Sequence, residues 1–322
     1  MINIVKLKAA IIGLGQVGQL FDFDEKREGV WTHFSSYEYL SSQYDLISVC
    51  DIDEEKRNLA LKRKPSLRLY TDFETMITQE KLDVVSICTP PDQHGKQIGF
   101  LAGKVKAIIC EKPLDLKLED SKKAIDNCEA TNTVLAVNYY KRFEGCVPQV
   151  KELISDFVIG EIETTTIYYS GPLYAVGSHA VNLLEYLVGE LIFLNGRCQK
   201  TDQYDITFQT PNDTLAHMIT TGPRKSFTFE TDIIGSKGRI RIINNNNSFE
   251  LYQYKESKRY SGYLELEKTD LPMIKHHDRF IPMFEEVYKK LQGEKVEHLF
   301  HGKHALKTQI LLDQIEKKSL MC

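Results

Sequence analysis

Along the first half of the chain, short apolar runs alternate with amphipathic stretches. The runs Leu7–Ile12, Leu46–Cys50, Leu67–Tyr70, Val84–Cys88, Ala107–Ile109 and Val134–Val137 are β-rich. Between several of them, Glu54–Lys62, Phe73–Gln79, Gln93–Gly103 and Leu118–Thr131 carry apolar residues at helical spacing. Near-continuous apolar strands separated by helices predict a parallel, doubly wound sheet. Asp72 and Asp92 stand where helix N-caps belong.

The pattern changes near Asn138. A helix over Cys146–Phe157 ends at Gly160, and strand-like segments follow at Ile162–Tyr169, Ile192–Gln199, Tyr204–Gln209, Thr214–Thr220, Ser226–Ile234, Arg239–Ile243 and Phe249–Tyr254. These alternate or turn at Gly, Pro and Asn, as antiparallel hairpins do. One helix, Ser178–Val188, is stopped by Gly189, and two more are expected at Asp278–Gln292 and Gly302–Lys318. The Asn244–Asn247 patch reads as a hairpin turn, because Asn tolerates left-handed backbone angles. The expected fold is therefore α/β: a doubly wound domain over 1–138 and an α+β domain with a mainly antiparallel open sheet over 139–322. The last helices are free to pack back on the first domain.

Composition narrows the function. The 322 residues are 42% apolar and 27% charged, ordinary for a globular protein of about two domains. A net charge of −4 with no basic block excludes a nucleic-acid footprint. No apolar stretch reaches the length of a membrane span, and Lys6 and Lys8 interrupt any signal-peptide core. The seven cysteines are dispersed, odd in number and without a C-x-x-C pair. They read as buried thiols in a reducing cytoplasm, not as a disulfide framework or metal cage.

Gly13, Gly15 and Gly18 follow the first strand in the pattern G-x-G-x-x-G and are expected to open a helix. The first glycine allows a tight turn, the second lets backbone approach a pyrophosphate, and the third lets helix and strand pack closely. Gln16 and Val17 lie within the same turn. Asp51, at the end of the next strand, suits the adenosine ribose hydroxyls and repels a 2′-phosphate, favouring NAD over NADP; Asp53 is the weaker candidate. Asp51 follows Gly18 by 33 positions, against roughly 20 in the usual spacing. The excess around 21–42, with Trp31-Thr32-His33, either packs on the sheet as an added helix or overhangs the site. Thr89-Pro90-Pro91 leaves a later strand: Thr89 offers a hydroxyl near the nicotinamide ribose and Pro90 lines the ring. His94 either contacts cofactor or caps the next helix. Glu111-Lys112-Pro113 then brings a cation to the end of a further strand.

Together these segments resemble the glucose–fructose oxidoreductase, inositol dehydrogenase and rhizopine-catabolism (Gfo/Idh/MocA) family. The matches include Gly13–Gly18, Val49-Cys50-Asp51, Thr89-Pro90-Pro91 with His94, and Glu111-Lys112-Pro113. Asn138-Tyr139-Tyr140-Lys141-Arg142-Phe143, Ile159-Gly160-Glu161-Ile162 and Ile234-Gly235-Ser236-Lys237-Gly238-Arg239 follow. The resemblance implies a Rossmann domain, a second domain whose open sheet buries itself in a homodimer or homotetramer, and hydride transfer between NAD and a sugar or polyol carbon, without a metal. It makes Lys112 the active-site lysine and His179 the acid–base group. Many members carry aspartates four residues before and three after that histidine, where this chain has Ala175 and Asn182. Asn182, Tyr140 and Arg142 are the expected substrate contacts, Arg142 suiting an anionic group. Two other readings stay open: an NAD(H)-binding regulator without turnover, and a reductase of a non-sugar substrate.

Overall fold

Six parallel strands carry the first of two compact units, which consists of Met1–Tyr140 and Asp278–Lys307. The computed structural model describes residues 6–223, 225, 227–271, 273–274, 278–296 and 302–320. The strands are β1 (Leu7–Ile12), β2 (Tyr44–Cys50), β3 (Arg68–Tyr70), β4 (Val84–Ile87), β5 (Ala107–Cys110) and β6 (Val134–Val137). Their order β3-β2-β1-β4-β5-β6 reverses direction between β1 and β4, the point at which ligands bind such sheets. The central strands β4 and β5 are buried on both faces, as their near-continuous apolar runs require.

Register fixes what emerges at the carboxyl edge. Ile12 pairs with Cys50 and with Ile87, Ile87 with Cys110, and Cys110 with Val137. The residues that follow these ends, Gly13, Asp51, Cys88-Thr89, Glu111 and Asn138, therefore leave the sheet along one line.

The helices of this unit are α1 (His33–Tyr39), α2 (Glu54–Arg63), α3 (Phe73–Gln79), α4 (His94–Leu101) and α5 (Leu118–Ala130). Asp72 caps α3, its side chain accepting from the Thr75 N–H at 2.7 Å. Asp92 does not cap α4: it lies in a 3-10 turn, Pro91–Gln93, and the cap position is Gln93. The double proline explains the shift, because Pro90 and Pro91 hold the chain in that tighter turn before the helix begins.

The helix expected to open at the glycine motif is split. Gln19 and Leu20 N–H groups donate to Gly15 O, forming one turn, and a 3-10 turn Leu20–Phe23 follows. Helical bonding resumes only at α1, where His33 N–H donates to Val17 O and Phe34 N–H to Gly18 O. An excursion of the chain is thus spliced into the middle of a helix, which accounts for the long spacing to Asp51. Asp22 pins the excursion by accepting from the Thr32 and Ser35 hydroxyls and from Arg63. Thr32 also caps α1.

The second unit consists of Lys141–His277 and Thr308–Cys322. After α6 (Val147–Ser155), an eight-stranded sheet is built from β7 (Ile162–Tyr169), β8 (Ile192–Lys200), β9 (Gln203–Gln209), β10 (Leu215–Thr220), β11 (Phe229–Gly235), β12 (Gly238–Ile243), β13 (Ser248–Glu256) and β14 (Leu264–Lys268). The order is β14-β13-β12-β11-β7-β10-β9-β8, antiparallel except where β7 runs parallel to β10. The strand expected from Ser226 begins at Phe229; Ser226 itself lies outside the described residues. β14, with the sequence Leu-Glu-Leu-Glu-Lys, was not among the expected strands. The turn between β12 and β13 holds Asn244, Asn245 and Asn246 at φ of 54°, 53° and 69°.

One face of this sheet presents Ile167, Phe208, Met218, Phe229, Ile233 and Ile240 to α7 (Ser178–Val188), whose Leu183, Leu184 and Leu187 complete the core. The chain then supplies α8 (Ile281–Leu291) to the first unit, where Phe284 packs edge-on against Tyr37 and Tyr44. The last helix is α9 (Gly302–Lys318). Cys50, Cys88, Cys110, Cys128 and Cys146 are free and buried, as expected of small core residues. Cys198 departs from that expectation, being disulfide-bonded. Among the described residues no helix is long and apolar enough to cross a membrane.

Candidate dinucleotide site

The three glycines occupy three different environments. A Cβ on Gly13 would lie 2.7 Å from the Cys88 carbonyl carbon and oxygen, and its φ is +91°. Only glycine lets this turn pass so close to the exit of β4. A Cβ on Gly18 would come within 2.3 Å of Gly13 O, so the turn after the motif rests directly on the strand end. A Cβ on Gly15 would meet nothing within 4 Å. Its missing side chain leaves open a cradle at the edge where β1 ends. That is the arrangement a pyrophosphate needs. Gln16 is exposed and Val17 half-buried in the same turn.

Asp51 braces this cradle. Its Oδ2 accepts from the Leu14 N–H at 2.6 Å and its Oδ1 from the Asp53 N–H at 2.9 Å. A carboxylate has about four acceptor positions, so ribose hydroxyls can still be accommodated. Asp53 is occupied as the N-cap of α2, accepting from the Glu55 N–H at 2.9 Å.

At the exit of β4, the Thr89 hydroxyl donates to Gln97 Oε1 at 2.7 Å, and Pro90 is exposed. His94 is fully buried, with Nδ1 2.9 Å from Pro113 O and Nε2 2.9 Å from Thr89 O. Both ring nitrogens are thus engaged by backbone, and His94 ties the β4 exit to the loop after Lys112.

Glu111 lies in a buried polar network that sequence reasoning did not find. Its Oε1 is 3.0 Å from Nε2 of His33 and accepts from Asn138 Nδ2 at 2.6 Å. His33 Nδ1 is 2.9 Å from Ser86 Oγ, which is 2.8 Å from the Tyr37 hydroxyl. Burial pushes the Glu111 carboxyl up, but the hydrogen bond and charge of His33, then Asn138 and the Lys112 cation, outweigh it and hold it below the usual carboxylate range. Glu111 is therefore an anion next to Lys112, which is half-buried at the strand end. The one available signal was Thr32-His33, a helix cap followed by a histidine. Nothing local marked that histidine's partner 78 positions away. Tyr140, half-buried, stacks on Phe280 at 5.6 Å between ring centroids.

The remaining candidates belong to the second unit. His179 is 5% exposed on the first turn of α7. Asn182, one turn further, is 1% exposed, and both of its side-chain polar atoms are hydrogen-bonded. Its Oδ1 accepts from Arg142 Nε at 2.6 Å and its Nδ2 donates to Thr308 Oγ1 at 3.0 Å. Arg142 also lies 5.2 Å from the centre of the Tyr186 ring. The Thr308 hydroxyl donates to Glu185 at 2.7 Å, so Arg142 and Glu185 are linked through two neutral groups.

Residues 7–139 match the GFO_IDH_MocA family, an oxidoreductase family with an NAD-binding Rossmann fold. The match covers about two fifths of the chain. The chain is 25% identical to D-glucoside 3-dehydrogenase of Escherichia coli over 202 residues, 57% of this chain and 54% of that one. It thus spans about half the length of that relative. It is 21% identical to myo-inositol 2-dehydrogenase of Thermotoga maritima over 80% of this chain and 81% of that one. The fold is also that of the WlbA dehydrogenase from Bordetella pertussis in complex with NADH and UDP-GlcNAcA. The TM-score is 0.77 at 18% identity, covering 97% and 96% of the two chains.

Proposed function

We propose that this chain is an NAD-dependent dehydrogenase acting on a hydroxyl or keto carbon of a sugar, sugar nucleotide or polyol, with Lys112 and His179 at the reaction centre. The observation that carries the reading is the shared strand edge: the open cradle at Gly15, Asp51 on the adenosine side, and Glu111-Lys112 leaving β5 in register with them. NAD, when bound, supplies the hydride acceptor. Gly13, Gly15 and Gly18 hold the pyrophosphate. Asp51 accepts from ribose hydroxyls, and its charge disfavours a 2′-phosphate. Lys112 Nζ hydrogen-bonds the reacting oxygen and favours its loss of a proton, and a ring nitrogen of His179 takes that proton. In reduction the same nitrogen returns it. Tyr140, Arg142 and Asn182 shape the substrate end, and the exposed Tyr168 and Leu215, on the face of the second sheet away from α7, are the apolar surface for self-assembly.

The test is a spectrophotometric screen of NAD and NADP reduction across polyols, aldoses and nucleotide sugars. Turnover with NAD and a member of these classes supports the reading. Cofactor binding without turnover on any of them favours the regulator, for which Ala175, in place of an orienting carboxylate, is the motivating residue.

A further inference from the structure

Asn138 Oδ1 is buried and accepts no hydrogen bond among the described residues. A buried acceptor left without a donor is costly, so such an atom points to a donor that arrives from elsewhere. Its position indicates which donor. Asn138 immediately follows β6, and its backbone N–H is held by Cys110 O at 2.8 Å, so it stands beside Glu111 at the carboxyl edge of the sheet. With Asp51 marking the adenosine side of the β1–β4 crevice, the ends of β5 and β6 lie on the opposite, nicotinamide side.

The orientation of the Asn138 amide is set by chemistry. Asn138 Nδ2 faces Glu111 Oε1 at 2.6 Å. Turning the amide over would put its carbonyl oxygen against that carboxylate, two acceptors with no proton between them. His33, on the other side of the same Glu111 oxygen, keeps the carboxylate in place. Glu111 thus commits the NH2 group of Asn138 and leaves Oδ1 turned away from it.

Resting on the NAD reading above, we propose that Asn138 Oδ1 accepts an N–H of the nicotinamide carboxamide, with Glu111 and His33 as the positioning residues that fix the amide. The contact selects a pyridine carrying a primary carboxamide and sets the ring's rotation about its glycosidic bond, hence which face meets the substrate.

The experiment compares three ligands by calorimetry: NAD, its 3-acetylpyridine analogue, which replaces the carboxamide NH2 with a methyl group, and ADP-ribose, which has no ring. The wild type is expected to bind NAD about tenfold more tightly than the analogue. Asn138→Leu abolishes that preference while ADP-ribose affinity stays within about twofold, which also shows that the variant is folded. Asn138→Ala gives the same readout with a smaller side chain. Glu111→Gln, which can accept or donate, reduces the preference in part. Equal wild-type affinity for NAD and the analogue, or an undiminished preference in both Asn138 variants, would overturn the proposal. Failure of the wild type to bind NAD and ADP-ribose at all would instead overturn the nucleotide site itself, and this contact with it.

Discussion

Alanine at Gly15 and alanine at Gly18 should separate nucleotide binding from folding. At Gly15 the new methyl group meets nothing within 4 Å, and the residue is not in the left-handed region. The folded protein accommodates it, and the restricted unfolded chain contributes about 0.4–1 kcal/mol of added stability. The methyl group instead fills the cradle, so NADH affinity falls at least tenfold, about 1.4 kcal/mol. At Gly18 the methyl carbon would sit 2.3 Å from Gly13 O and 2.9 Å from Leu14 Cα, both backbone atoms. Relief requires lifting the turn off the strand, an overpacking cost of about 1–3 kcal/mol or more. Thermal unfolding followed by circular dichroism, with NADH titration by calorimetry, reads both effects. Gly15→Ala should melt at or slightly above the wild-type temperature and bind poorly. Gly18→Ala should melt lower by roughly 2–4 °C for each kcal/mol lost. Undiminished NADH binding by Gly15→Ala, or equal loss of stability in the two variants, would refute the assignment of these glycines.

Other consequences are equally open to measurement. Lys112→Ala and His179→Ala should each lower turnover about a hundredfold or more while leaving NAD affinity near wild type; steady-state rates and calorimetry check this, and near-normal turnover by His179→Ala would remove it from the mechanism. The Glu111 carboxyl is held below its ordinary range. Its stabilising effect is therefore present above the unfolded value of about 4.3 and is lost as pH falls through the lower folded value. Denaturant unfolding from neutral to acid pH should show a shallower loss in Glu111→Gln than in the wild type; identical slopes would contradict it. The Tyr44 hydroxyl donates to Phe284 O at 2.6 Å in a buried setting. Tyr44→Phe should cost about 1–3 kcal/mol by stranding that carbonyl, read from the denaturation midpoint.

Much of the first unit was legible because its signals are local. An apolar run followed by glycines, or by Glu-Lys-Pro, declares both the strand and what its end presents, and β1 and β6 match their expected limits. The split helix was not legible, since nothing in 20–32 announces that bonding resumes from Val17 O to His33 N–H. Nor could the His33–Glu111–Asn138 network be read, because it joins three elements far apart in sequence. In the second unit, alternation found most strands but not β14, none of whose residues is fully buried. The parallel pairing of β7 with β10 was also hidden, because pairing direction depends on long-range topology and leaves no local mark.

Crystals of the protein grown with NADH and a turnover-tested polyol or nucleotide sugar would measure the decisive geometry. The account predicts Lys112 Nζ and a ring nitrogen of His179 both within hydrogen-bonding reach, roughly 2.6–3.2 Å, of the same substrate oxygen, on the carbon facing C4 of the nicotinamide. A complex in which either group stays well outside that reach of the oxygen, in every bound protomer, would contradict it.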